Sequence, residues 1–168
     1  MSHNHIGGEA RETFPEFEEL FKAVENSMGY LPNAYLGMAK RHELLKSFSS
    51  LIMAIFTQEG LSPGLRQLIA LACSLSAGCK YCQAHTSHGA ERAGINQQKI
   101  AEILKYNDSE LYAENERAVL DLAFAAGETP NRSSKEHFDE LKKYFSDEVI
   151  TDIVSVISIF GFLNRWND

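Results

Sequence analysis

The chain has 168 residues, 44% of them hydrophobic and 23% charged, and its 23 acidic residues against 16 basic ones give a formal charge of −7. That length suits one domain with a sizeable core, and the acidic balance argues against a nucleic-acid binder, which would show a basic face. Met1-Ser2-His3-Asn4-His5 has no apolar stretch of a secretory signal, and the apolar run Val149 to Leu163, interrupted by Thr151, Asp152, Ser155 and Ser158, reads as too short and too polar to span a bilayer, so a cytoplasmic location is the expectation.

Taken in chain order, the pattern is helical nearly throughout, and the 4 prolines and 11 glycines fall at boundaries. Residues 1–12 are polar and read as a mobile arm; His3 and His5 within it are weak metal ligands at best. Thr13 with Glu16 reads as a capping box with Pro15 in the first turn, opening a helix on Phe17, Leu20, Phe21 and Val24. Gly29 to Asn33 is a connector, with Asn33 as N-cap. A second helix is expected from Asn33 to about Phe56, and Ser62-Pro63 starts a third as cap and first residue. Ala77-Gly78 relaxes that helix before another that carries Cys79 and ends at Gly94, a left-handed cap.

Further on, Asn96 caps a short helix through Leu104, and Tyr106 to Leu111 is a loop. A helix from about Tyr112 to Ala126 stops at Gly127 and Pro130. Ser133 with Glu136 reads as a capping box for a helix to about Phe145. Ser146 caps the last helix, whose acidic first turn suits the dipole. Its apolar stripe, Ile150, Ile153, Val154, Ile157 and Phe160, faces core or a subunit interface, where Phe162 and Trp166 can also bury. No alternating strands, repeat or linker is evident, so residues 13–168 read as a single all-α domain. Asn131-Arg132-Ser133 matches a glycosylation sequon, which has no meaning without a secretory route.

The segment Cys79-Lys80-Tyr81-Cys82-Gln83-Ala84-His85 holds two of the three cysteines. In a cytoplasmic protein such a pair marks redox or metal chemistry more often than a structural disulfide. Residues three apart on a helix share a face, and tightening the first turn brings two β-carbons within disulfide range. So short a loop adds little stability, which suits cycling better than stapling. The unsatisfied N–H groups of a helix start stabilise a thiolate. His85, three residues past Cys82, can accept a thiol proton or hold a thiolate as imidazolium, and Thr86 can offer a hydroxyl to the same face. These residues alone do not choose the attacking sulfur, and the chemistry requires at least one sulfur to be accessible. Cys79, Cys82 and His85 also make three possible zinc ligands, but no second Cys/His pair follows at zinc spacing. His88 lies on another face, and Cys73, among Leu71, Ala72 and Leu75, reads as buried core.

Leu65-Arg66-Gln67-Leu68-Ile69-Ala70-Leu71, Ala77-Gly78-Cys79-Lys80-Tyr81-Cys82 and Ala84-His85-Thr86 together resemble the carboxymuconolactone decarboxylase superfamily, in its alkylhydroperoxidase-like (AhpD-like) branch. Gly29 to Asn33 and Asn164 to Asp168 are similar to the entry segment and C-terminal helix of its peroxidase-related members. The resemblance implies an all-α, AhpD-like multi-helix domain with the thiols at the start of a central helix, assembled as a homo-oligomer, a trimer or hexamer. It implies an enzyme that reduces organic or hydrogen peroxides without metal or organic cofactor. Cys82 then attacks and becomes a sulfenic acid, Cys79 resolves it to a disulfide, and a separate dithiol donor reduces the pair. One position departs from the pattern: Gln67 stands where the family carries a glutamate that feeds a proton relay. An amide orients water but takes no proton at neutral pH, so His85 serves alone or a carboxylate such as Glu59 substitutes. A non-enzymatic redox-sensing or scaffolding oligomer is the rival reading. Muconolactone decarboxylation ranks below both, since members with that activity generally lack the thiol pair.

Overall fold

The computed structural model describes residues 9–168; His3, His5 and most of the expected arm lie outside them. Nine α-helices are present among the described residues, with no strand: α1 (Glu18–Met28), α2 (Asn33–Ala39), α3 (His42–Phe56), α4 (Pro63–Ala77), α5 (Lys80–Arg92), α6 (Gln97–Ala101), α7 (Glu114–Gly127), α8 (Lys135–Leu141) and α9 (Asp147–Asn167). The residues up to Ala54 form one compact unit and residues 55–166 another.

In the first unit, the entry differs from the sequence expectation. Thr13 closes one 3₁₀ turn, Pro15–Phe17 forms a second, and α1 begins only at Glu18 with no side-chain cap. Proline disfavours helical backbone in the residue before it, and Phe14 accordingly sits at φ −124°, ψ 62°. Glu16 serves instead as partner of His42, at 2.9 Å. Arg11, at the end of the expected arm, pairs with Glu18 at 2.8 Å and Glu25 at 2.7 Å. Pro32, not Asn33, occupies the N-cap of α2. The expected helix from Asn33 to Phe56 is two, broken at Lys40 and Arg41 with neither Gly nor Pro to mark it. Phe14, Phe17, Phe21, Tyr35, Met38, Leu45 and Phe48 are among the buried apolar residues of this unit.

In the second unit α4 is central and packs against α5 and α7. Ser62 caps it through Oγ, which accepts the Leu65 N–H at 3.2 Å, with Pro63 at the first position. Leu68, Ile69, Ala70, Leu71 and Ala72 are almost fully buried, so α4 is buried on nearly every side rather than along one stripe. Gly78 closes it at φ 82°, a backbone state that only glycine adopts freely, and α5 starts two residues later. Asn96 and Ser146 cap α6 and α9 as the sequence indicates. The cap of α8 is Ser134 rather than Ser133, because Asn131 Oδ1 already accepts the Ser133 N–H at 2.7 Å; the Ser134 N–H donates to His137 Nδ1 at 3.0 Å, and Glu136 is not the box partner.

At 21 residues α9 is longer than the apolar run that marked it, and by length and composition it is enough to cross a membrane. Ile150, Ile153, Val156, Ile157, Ile159 and Phe160 are buried, and Val154 of the expected stripe is exposed.

Candidate redox site

The thiol pair sits where the chain leaves the left-handed Gly78 and enters α5. Cys79 is the N-cap: its φ of −69° and ψ of 102° are extended, and its Sγ accepts the Cys82 N–H at 3.4 Å. Sulfur thus does what a serine or asparagine oxygen does at most helix starts, satisfying one of the orphan donors of the first turn. Cys82 follows in that turn, and its thiol donates to the Leu163 carbonyl of α9 at 3.7 Å. One sulfur therefore accepts a hydrogen bond while the other donates one. Neither is in a disulfide, and both are buried, Cys79 at 1% and Cys82 at 3% exposure. This corrects the expectation of accessible sulfurs: an acceptor reaches them only when neighbouring side chains move.

His85 lies one turn beyond Cys82 and is half-buried, with its ring against Tyr81 at 4.1 Å between centroids and 44° between planes. Burial, aided by the nearby His88, holds its pKa below the ordinary histidine value. The neutral imidazole is the form that accepts a thiol proton. Thr86 does not offer its hydroxyl to the sulfurs as expected; it is buried and donates to the Cys82 carbonyl at 2.8 Å. That backbone bond fixes the turn carrying Cys82. Gln83 ties the same turn to α4 by donating to the Ser74 carbonyl at 3.1 Å.

Gln67 reaches α5 from α4. A β-carbon added at Gly89 would stand 2.5 Å from Gln67 Oε1 and 2.7 Å from its Cδ, so the carboxamide lies directly on the Gly89 backbone. Gly89 is four residues past His85, on the same helical face. Gln67 thus stands against α5 at Gly89, one turn past His85, seven residues past Cys82 and ten past Cys79. Glu59 is exposed in the loop before α4.

Cys73 behaves as read, buried at 1% exposure with its thiol donating to the Ala123 carbonyl at 3.5 Å. Burial pushes its pKa up to about 12, so it stays protonated. Two polar groups escaped the sequence reading. Asn164 is 4% exposed, and its Nδ2 donates to the Cys73 carbonyl at 3.3 Å. Arg66 is 5% exposed; one guanidinium nitrogen donates to the Phe56 carbonyl at 3.0 Å, while Nε and Nη2 have no partner. A polar residue inside an otherwise apolar helical run was the available signal for both. Among the described residues, no three His, Cys, Asp or Glu side chains group as a metal site.

Residues 42–125 match the model of the carboxymuconolactone decarboxylase family. The debrominase Bmp8 is 38% identical over 99% of this chain and 90% of its own; its TM-score is 0.91 in the apo form and 0.92 in a C82A variant in complex with 2,3,4-tribromopyrrole. An Agrobacterium tumefaciens protein of unknown function, proposed as the antioxidant defence protein AhpD, is 26% identical with a TM-score of 0.70, over 76% of this chain and 88% of its own. The alkylhydroperoxidase AhpD core of a peroxidase-related protein from Ralstonia eutropha JMP134 shares the fold, with 23% identity and a TM-score of 0.82 over 95% of this chain and 85% of its own.

Proposed function

We propose the following activity for this chain, which belongs to the carboxymuconolactone decarboxylase family and has its AhpD-like fold: a dithiol reductase whose Cys79/Cys82 pair removes bromine from a small brominated pyrrole. The observation that carries it is the placement of both sulfurs in the first turn of α5, one accepting and one donating a hydrogen bond. The acceptor follows from the likeness to the debrominase Bmp8 along nearly the whole chain. Reductive debromination consumes two electrons. The ring C–Br bond breaks and a C–H bond forms, two thiols become one disulfide, and bromide and a proton leave. The dithiol pair supplies both electrons without a cofactor.

In this reading Cys82 attacks, the role the family resemblance implies: its thiolate attacks the ring bromine, so that an S–Br bond forms as the C–Br bond breaks. His85, neutral at physiological pH, takes the Cys82 thiol proton and returns one to the ring carbon. Cys79 then attacks the sulfur of Cys82, the S–Br bond breaks, bromide and the Cys79 proton leave, and the disulfide forms. Gln67 orients substrate or water as an amide. A separate dithiol donor restores the pair, and the protein works as a homo-oligomer in the cytoplasm.

A second reading, reduction of organic or hydrogen peroxides, is favoured by the likeness to the Agrobacterium protein. There the O–O bond breaks, Cys82 passes through a sulfenic acid, and an alcohol and water leave as the disulfide forms. Bromide release and peroxide consumption, measured with a dithiol reductant for wild type and Cys82→Ser, separate the two. Bromide release lost in Cys82→Ser supports debromination, and peroxide consumption alone supports the second reading. Rates equal in wild type and variant overturn both.

A further inference from the structure

We infer that Tyr81 is a positioning residue for the reaction proposed above: its ring holds the His85 imidazole in one orientation on the turn that carries Cys82. The inference deepens that reading and rests on His85 as the base that takes the Cys82 proton. Tyr81 stands between the two cysteines, one residue before Cys82 and four before His85. Side chains on a helix lean toward its N-terminus, over the residues three and four positions back. For His85 those residues are Cys82 and Tyr81. The imidazole rests on that turn, with its centroid 4.1 Å from the centroid of the Tyr81 ring.

A catalytic imidazole needs such a holder. The χ2 torsion of histidine has a broad, roughly two-fold profile, so the backbone alone does not decide where the ring nitrogens point. A base serves only when one of them lies within reach of the proton. Aromatic pairs usually keep their centroids about 4.5–7 Å apart. Tyr81 and His85 are closer than that and tilted by 44°, so neither ring turns far unless the other moves. The backbone beneath them is held as well: Thr86 donates to the Cys82 carbonyl at 2.8 Å, and Gln83 donates to the Ser74 carbonyl of α4 at 3.1 Å. Both rings are half-buried, which further limits the space for rotation. The contact uses the flat ring of Tyr81 and not its hydroxyl, so phenylalanine at this position preserves the role.

The test uses the full reduced chain and two readouts that need no turnover, so the identity of the acceptor does not affect them. The first is the rate at which iodoacetamide alkylates Cys82, which reports its thiolate. Trypsin cuts after Lys80, so Cys79 and Cys82 are read on separate peptides. The quantity compared is the slowing caused by His85→Gln, measured in the wild-type, Tyr81→Phe and Tyr81→Ala backgrounds. Any change in access to the sulfur made at Tyr81 then cancels within each background. The second is the NMR contact between the His85 ring protons and the Cys82 β-protons. Tyr81→Leu replaces Tyr81→Ala if that variant does not fold. His85→Gln is expected to slow alkylation by about tenfold or more in the wild type and in Tyr81→Phe, and by no more than about twofold in Tyr81→Ala. The NMR contact is expected to persist in Tyr81→Phe and to weaken in Tyr81→Ala. An equal slowing in Tyr81→Ala, or an NMR contact unchanged there, overturns the positioning role. So does a slowing lost in Tyr81→Phe, which would assign the role to the hydroxyl. Absence of any slowing in the wild-type background overturns His85 as the base, and with it the reading on which Tyr81 depends.

Discussion

Replacing Gly89 by alanine separates the position of Gln67 from the stability of the fold. The new β-carbon would stand 2.5 Å from Gln67 Oε1, 2.7 Å from Cδ and 3.1 Å from Nε2. All three are atoms at the end of a flexible side chain, so the carboxamide swings aside and the two helix backbones stay in place. Turning Gln67 off its preferred rotamer costs about 0.5–1.5 kcal/mol. Alanine in place of glycine within a helix returns roughly 0.5–1 kcal/mol. The two nearly cancel, so Tm is expected to move by no more than about 2–4 °C. Turnover is expected to fall to the level of Gln67→Ala, because both changes remove the amide from α5. Thermal unfolding and dithiol-dependent bromide release, measured for Gly89→Ala, Gln67→Ala and the double variant, make a cycle. The expected result is strong non-additivity, with the double variant no slower than either single one. A Gly89→Ala protein at wild-type rate while Gln67→Ala is slow refutes the reasoning, as does a double variant whose loss is the product of the single losses.

Three further outcomes follow from the same geometry. Ser62→Ala is expected to cost about 1 kcal/mol in urea unfolding, and Ser146→Ala less, because the Ser146 cap bond is long at 3.5 Å against 3.2 Å for Ser62; the reverse order contradicts the assignment of caps. His85 has a folded-state pKa below its unfolded one, so the unfolded chain binds more protons and stability falls as pH drops from about 6.5 through the folded value. His88→Gln removes one of the two causes, so the NMR-detected His85 titration should move up; no movement excludes His88 as a cause. Gln67→Glu tests whether a carboxylate at this place serves peroxide turnover: a large gain in peroxide consumption without a gain in bromide release supports debromination as the native activity, and a parallel gain in both argues against that choice.

The helical class, the Ser62, Asn96 and Ser146 caps, the turns at Gly78 and Gly94, and the grouping of Cys79, Cys82 and His85 on one helix were legible in the sequence, because each depends on residues within about one turn. What was illegible depends on chain remote in sequence. Thr13 and Glu16 form a cap motif in isolation, but Phe14 before Pro15 cannot be helical, and Glu16 pairs with His42. The break at Lys40 carries no breaker residue. Ser133 and Ser134 are equivalent caps until Asn131 engages the first. At the site, the motif placed the sulfurs but did not show that α9 covers Cys82 through the Leu163 carbonyl, or that Thr86 turns its hydroxyl to the backbone. Gln67 read as an amide in place of a relay glutamate, and only its contact with Gly89 places it against α5.

The most direct test counts thiols against product in a single turnover without external reductant. Pre-reduced protein is mixed with a brominated pyrrole and, separately, with a peroxide, then quenched with an alkylating reagent and read by peptide mass spectrometry. The account predicts one Cys79–Cys82 disulfide per bromide released, Cys73 still free, and neither product nor disulfide in Cys82→Ser. Bromide or alcohol formed while Cys79 and Cys82 both remain reduced would contradict it.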